Sequence, residues 1–242
     1  MQIIKVDAID STNTFLKNGL RNKTISKPTC VWAKNQTKGR GQQGAVWHSE
    51  PGKNLTFSVF FPVAKKKIVQ PFCINILTTV CLYKTLFKFQ LPNLKIKWPN
   101  DILSANNKIG GILIENNFQN GVLTGAIIGI GLNVNQVSFN NLPRASSLKK
   151  ILDKEISLEE LLKVILIDLS EGIREYEPDN FLHMKQEFET ILFRNKKPST
   201  FSVKGSFFTG IIQGVTNEGK LIVLQEDDVV NQYDFKEITL KY

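Results

Sequence analysis

The chain has 242 residues, 42% hydrophobic and 22% charged, with a formal net charge of +9. That balance excludes broad disorder, and the length suffices to bury a sizeable core as one large domain or a larger domain with a small appendix. No apolar run approaches the roughly 20 residues that span a bilayer, and the N-terminus, Met-Gln-Ile-Ile-Lys-Val-Asp, lacks an apolar signal core, so a cytoplasmic location is expected.

Ile3 to Ile9 alternates like a strand, and Ser11-Thr12-Asn13 supplies N-cap chemistry for a helix that Gly19 can close. Thr29 to Lys34 and Leu55 to Phe61 read as strands separated by a glycine-rich loop. From Gln70 to Phe89 apolar residues recur at helical spacing, at Phe72, Ile76, Leu77, Val80, Leu86 and Phe87. Leu94 to Trp98, Ile109 to Ile114 and Val122 to Asn133 resume the strand pattern. Asn106 and Asn107 read as turn formers of a hairpin whose two ends, Asp101 and Lys108, face one another. Ser157 with Glu160 forms a capping box ahead of Leu161 to Ile167, and a second helix follows from Asp179 to Phe193. Beyond Pro198 the pattern changes to short strands, Phe201 to Val203, Phe207 to Val215, Leu221 to Gln225 and Tyr233 to Leu240, with turns at Gly205, Asn217 to Gly219 and Glu226 to Asp228. This predicts an α+β sheet with flanking helices followed by a small β-module, with a boundary near Lys196.

Two histidines, His48 and His183, leave a zinc site or catalytic triad few residues to draw on. Cys30, Cys73 and Cys81 lack metal-ligand spacing, so free buried thiols are expected and no metal site is assigned. Positive charge is scattered. Its one dense run, Lys65-Lys66-Lys67, lies between a strand and a helix, so nucleic acid, an acidic protein and an anionic small molecule all remain open as partners.

Chemistry concentrates in three places. Lys108 precedes Gly110-Gly111, and glycines inside a strand mark a close approach of ligand or backbone. Asp101, seven residues before Lys108, is placed to hold that lysine. The segment Lys38-Gly-Arg40-Gly41-Gln42-Gln43-Gly44-Ala45-Val46-Trp47 offers backbone N–H groups and cations to an anion, without the spacing of a Walker loop or a dinucleotide fingerprint. The Ser11 triplet reads first as a cap; the same groups can also present hydroxyls and an amide to a ligand.

Asp10-Ser-Thr-Asn13, the Lys38 to Trp47 loop, Lys97-Trp-Pro-Asn-Asp101, Lys108-Ile-Gly-Gly-Ile112 and Gly129-Ile-Gly-Leu-Asn133 occur in the order found in biotin–protein ligases. Each motif is loose alone, but five in order are specific. The resemblance covers essentially the whole chain, including Phe235-Lys-Glu-Ile238 near its end. It implies a fold like class II aminoacyl-tRNA synthetase cores over residues 1–195 and an SH3-like barrel over 196–242. It implies a two-step reaction. Biotin and Mg-ATP give biotinyl-5′-AMP and pyrophosphate, and a lysine of a biotin carboxyl carrier protein then takes the biotinyl group. By resemblance, Ser11, Thr12, Asn13, Gln36, Arg40, Gly41, Gln42, Lys108 and Gly111 bind biotin. Arg40, Trp47, Asn100 and Asn133 serve the nucleotide, and Lys108, Arg40 and Asp101 are catalytic. The resemblance admits a monomer or a homodimer.

The loop departs from the family pattern. Gln42, Gln43 and Ala45 stand where arginines are common, so weaker adenylate retention, or substitution by another cation, is expected. Some family members also repress transcription through an N-terminal DNA-binding domain. Ten residues precede Ser11 here, too few for such a fold, so neither DNA nor membrane is expected as a partner. Lipoate–protein ligase is the alternative enzyme. A binding module without catalysis would keep the pocket and have no need of Lys108.

Overall fold

The computed structural model describes residues 1–63, 70–140, 142–226 and 228–242; the Lys65-Lys66-Lys67 run and Asp227 of the predicted turn lie outside the described residues. Strand β1 (Gln2–Ile9) runs parallel to β2 (Thr29–Gln36), connected through helix α1 (Thr12–Arg21). The other strands of the sheet are β3 (Leu55–Pro62), β4 (Lys95–Lys97), β5 (Asp101–Ser104), β6 (Asn107–Gln119) and β7 (Val122–Leu132). Their order is β1-β2-β3-β7-β6-β5-β4, antiparallel beyond β2, so the sheet is mixed and the α+β class is as expected.

Both faces of the sheet are covered near its centre, which explains the unbroken burial of β3. Phe57, Val59 and Phe61 join a large core with α2 (Phe72–Phe87) and α4 (Leu158–Glu175), while Phe60 packs with Val31, Ile127 and Leu16 of α1 on the other face. Alternation along β3 therefore puts Ser58 on the α1 face as well. Helix α1 covers that face only in part, and the uncovered remainder becomes the site. Helix α2 is apolar on nearly all sides, as a helix clamped between a sheet and other helices must be. Its Phe87, read as part of the apolar face, is 63% exposed at the last turn.

Several expectations need correction. Gly19 does not close α1, which continues to Arg21 and is capped at Asn22; Gly19 instead lets Ile25 pack closely against the helix. The β5–β6 turn is formed by Ala105 and Asn106, both with positive φ (47° and 66°), and Asn107 already belongs to β6. Paired positive φ values match the twist of a two-residue hairpin. Helix α3 (Leu148–Leu152) was not foreseen, since one and a half turns carry almost no periodicity. The predicted Asp179 to Phe193 helix is α5 (Phe181–Thr190), entered through a short 3-10 turn at Pro178–Asn180.

A second sheet contains β8 (Pro198–Val203), β9 (Ser206–Val215), β10 (Leu221–Gln225), β11 (Val230–Tyr233) and β12 (Ile238–Lys241), in the order β11-β10-β9-β8-β12. The single strand expected from Tyr233 to Leu240 is two strands broken by a turn, closed by Glu237 N–H donating to Asp234 O at 2.9 Å. This sheet shares the core of the first: Phe201, Ile212, Val223 and Ile238 belong to the same cluster as Trp98 and Leu192. The cysteines are free, with Cys30 and Cys73 buried and Cys81 less so; burial pushes the Cys30 thiol up to about 12. Among the described residues, no helix is long and apolar enough to cross a membrane.

Candidate active site

A cavity of about 300 Å³ opens on the α1 face of the large sheet, a size suited to a small ligand. One end is neutral and polar. Ser11 occupies the N-cap of α1, yet its side chain makes no capping bond, so the hydroxyl is not engaged in holding the helix. Thr12 N–H donates to Gln36 Oε1 at 2.8 Å, and Thr12 Oγ1 lies 2.6 Å from Ser58 Oγ. Ser58 Oγ donates to Asn13 Oδ1 at 2.5 Å, and Asn13 Nδ2 donates to Glu115 Oε2 at 2.8 Å. Ser11, Thr12, Asn13 and Gln36 thus converge on one end of the cavity.

The floor is made of glycines. Gly129 lies opposite Ser58, and Gly131 lies opposite both Thr56 and Gly111, so all point to the α1 face. A Cβ on Gly129 would collide with Asn13 Oδ1, and one on Gly131 would collide with the Trp47 indole. Both glycines answer to close approach of a side chain rather than to an unusual backbone.

Over this floor lies the Gly39 to Trp47 loop. It closes on itself through Gly41 N–H donating to Ala45 O at 2.7 Å and Trp47 N–H to Gly39 O at 3.0 Å. Arg40, Gly41, Gln42 and Trp47 line the cavity, whereas Lys38 is exposed outside it. Gln43 leans out of the loop, its Nε2 donating to Phe235 O at 2.9 Å and tying the loop to the second sheet. Phe235 and Leu240 supply a wall that comes from far along the chain.

The other end is cationic. In β5–β6 Leu103 pairs with Lys108 but Ile102 pairs with Gly110, leaving Ile109 as the extra residue of a bulge. Asp101 therefore faces Gly111 rather than Lys108, which corrects the simple hairpin. A bulge re-aims side chains, and here Lys108 Nζ reaches Asp101 Oδ1 at 2.6 Å. Lys97 Nζ lies 4.0 Å from the other Asp101 oxygen, and Lys108 Nζ is 5.8 Å from the Trp47 ring centroid. Burial, with Lys108 and Arg144 nearby, pulls the Lys97 ammonium below the usual lysine range, although Asp101 opposes this. Asn100 lines the cavity, its Nδ2 donating to Ile112 O at 2.7 Å. Asn133 stands apart. Its amide is buried outside the cavity lining, donating to Ser146 O at 3.0 Å, and it braces the segment that clasps the Lys108 backbone.

Arg40 turns toward Glu115, at 3.6 Å, instead of toward Asp101. Burial works to raise the Glu115 carboxyl, but Asn13, Arg40 and Lys17 outweigh it and leave the group below its ordinary 4.5. With the folded value depressed, the unfolded chain binds more protons in that window. Glu115 then stabilises the protein fully above pH 4.5, and its contribution is lost as pH falls through the lower folded value. Urea unfolding between pH 3 and 6 should show a shallower acid loss for Glu115→Gln than for the parent; equal slopes would contradict this pairing.

The family model for the biotin/lipoate A/B protein ligase family matches residues 6–133, over half of the chain. The chain belongs to this family. The bifunctional ligase/repressor BirA of Bacillus subtilis (strain 168) is 29% identical over 96% of this chain and 72% of its own length. A biotin--[acetyl-CoA-carboxylase] ligase of Paracoccus denitrificans is 30% identical over 46% of each chain. Among solved structures, a biotin protein ligase from Aquifex aeolicus in complex with biotin and ATP superposes with a TM-score of 0.81 at 26% identity, covering 99% of this chain and 98% of that one. The biotin/lipoate ligase match contains the polar end, the loop, the floor and the lysines, and ends at Asn133. The Phe235 and Leu240 wall lies beyond it.

Ser58 and Glu115 were not foreseen as site residues. Each sits inside a strand pattern, and only its distant partners, Thr12 and Asn13, reveal its place.

Proposed function

We propose that the chain is a biotin–protein ligase that activates biotin with ATP and passes it to a carrier lysine. The observation that carries this reading is a single cavity joining a neutral hydroxyl and amide end to a cationic end across a glycine floor. Biotin has the same polarity. Its ureido ring offers two N–H donors and a carbonyl acceptor, suited to Ser11, Thr12, Asn13 and Gln36, and its valerate carboxylate would extend beneath the Arg40 to Gln42 loop, past Trp47, toward Lys108.

In the first step a carboxylate oxygen bonds to the α-phosphorus, the α–β phosphoanhydride bond breaks, and pyrophosphate leaves with the electron pair. Lys108 neutralises charge building on the carboxylate and α-phosphate oxygens, and Asp101 holds the lysine in place. In the second step the carrier amine attacks the acyl carbon, the acyl–oxygen bond breaks, AMP leaves, and the nitrogen loses a proton. Trp47 covers the nucleotide half, and the Arg40 to Gln42 loop shields the mixed anhydride from water. Asn100 backs the nucleotide side, and Asn133 acts through the segment it braces. Among the described residues no group of three or more His, Cys, Asp or Glu is placed to hold a metal ion. Magnesium is assigned to the incoming ATP phosphates.

Two finer readings belong with this. The carrier is the biotin carboxyl carrier protein of a biotin-dependent carboxylase. Residues 1–195 form the catalytic unit and 196–242 an SH3-like barrel, supported by the change of sheet at Pro198.

The direct test is ATP–pyrophosphate exchange in the presence of biotin or of lipoate. Exchange with biotin alone is expected. Exchange driven only by lipoate points to a lipoate ligase, and exchange with neither points to a binding module. Within the loop, Gln42 is neutral and cannot replace a cation, so its side chain contributes little to charge stabilisation. Gln42→Ala should slow adenylate formation less than Lys108→Ala, and equal losses would overturn that assignment.

A further inference from the structure

At the cationic end of the cavity two lysines share one carboxylate, and a third positive group stands beside them. Lys108 and Lys97 approach Asp101 as described, and Arg144, exposed and outside the cavity lining, lies on the segment that clasps Lys108, whose N–H donates to Arg144 O at 2.7 Å while Lys108 O accepts from Ser146 N–H at 2.9 Å. The Arg144 guanidinium carbon stands 4.5 Å from the Tyr242 ring centroid, and Lys97 Nζ is 5.2 Å from the same centroid. Tyr242 is further held by Phe193, with ring centroids 4.9 Å apart. One aromatic ring thus spaces Lys97 and Arg144 beside the Lys108–Asp101 pair. Among the described residues Arg144 has no ion pair, whereas Arg40 already faces Glu115. The side chains nearest Lys108 thus set three cations, Lys97, Lys108 and Arg144, against the single Asp101 carboxylate.

We propose that Arg144, braced on Tyr242, grips the β- and γ-phosphates of the nucleotide, the pyrophosphate that departs in the first step. This rests on the ligase reading above. A planar guanidinium presents paired donors to phosphate oxygens. The ring contact, with a hydrogen bond to the Tyr242 hydroxyl, fixes that fork and leaves the other guanidinium N–H groups for an anion. An incoming carrier ammonium would be repelled by the same cluster, so the excess charge matches the leaving group rather than the acceptor. Neither periodicity nor motif marks Arg144, since it lies between strand and helix and is brought beside the site by the pairing of its segment with the Lys108 backbone.

The test uses the full chain with Arg144→Ala, Arg144→Lys and Tyr242→Leu, each checked for an unchanged melting temperature. Calorimetric titration with inorganic pyrophosphate should show binding by the parent and binding at least roughly tenfold weaker for Arg144→Ala, the loss of a charged hydrogen-bonding group. Arg144→Lys should fall between, and Tyr242→Leu should shift the same way by a smaller factor. The pyrophosphate concentration giving half-maximal biotin-dependent exchange should rise in parallel, while transfer from pre-formed biotinyl-AMP, in which no pyrophosphate takes part, keeps its rate. Parent and Arg144→Ala binding pyrophosphate equally, or the parent not binding it, overturns the proposal. So does slowed transfer from biotinyl-AMP with unchanged pyrophosphate dependence, which would make Arg144 a carrier contact. Failure of the parent to exchange with biotin sinks the ligase reading instead, and the pyrophosphate titration still decides the role of Arg144.

Discussion

Lys108→Ala should cost at least ~2 kcal/mol of transition-state stabilisation, a drop of roughly thirtyfold or more in biotin-dependent ATP–pyrophosphate exchange. The charge that develops in adenylate formation lies on oxygens shared between a carboxylate and a phosphate. Lys108 is a cation of the cavity lining fixed by Asp101 at 2.6 Å and backed by Trp47. Its backbone is clasped on both sides, so the ammonium needs little reorganisation when charge appears. The side chain is 38% exposed, and its removal opens no core cavity. The melting temperature should stay within about 2 °C of the parent, as surface substitutions usually do. Exchange at the parent rate would remove Lys108 from the chemistry, and a folding defect would be visible separately in the melting curve.

Gly129→Ala should weaken biotin binding by roughly tenfold to hundredfold, because the new methyl group takes the space of Asn13 Oδ1. Asn13 is a short side chain held at both ends, accepting from Ser58 at 2.5 Å and donating to Glu115 at 2.8 Å. It cannot move aside without breaking both bonds, and Leu113 O stands 3.2 Å from the same point. Each buried polar group left without a partner costs about 1–3 kcal/mol. The polar end would be disordered while the cationic end stays intact. Calorimetric titration with biotin reads the first, and pyrophosphate titration reads the second. Unchanged biotin affinity would show that Asn13 lies outside the ligand site.

The two positions differ in how they could be read from the chain. Lys108, Asp101 and the glycines between Gly110 and Gly131 stand in short runs with turn and strand signals around them, and local chemistry pointed to a cation beside a gap. The pairing of Asp101 with Lys108 was correct, although its route was not. The simple hairpin placed them opposite each other, whereas a bulge at Ile109 turns the lysine back onto the carboxylate. A bulge of one residue leaves no mark in an apolar run. Gly19 likewise carried a helix-stop signal that tertiary packing overrode, because Ile25 requires a residue without a side chain there. At the far end, Tyr233 to Leu240 alternates well enough for one strand, but the second sheet needs those residues on opposite edges.

The sequence by itself determined the local elements, the glycine-lined lysine, the polar triplet at the first helix and the order of motifs that marks the family. These depend on neighbours a few residues apart, whose conformational preferences and spacing are written directly in the chain. Only the tertiary structure decided which polar groups share the cavity. Ser58 meets Asn13 across 45 positions, and Glu115 meets Asn13 across 102. Arg144 and Tyr242 meet beside Lys97 from a loop and from beyond the last strand. Such contacts follow from strand order and register, which are set by burial on both faces of the sheet at once, and no local pattern encodes which residue will stand opposite which.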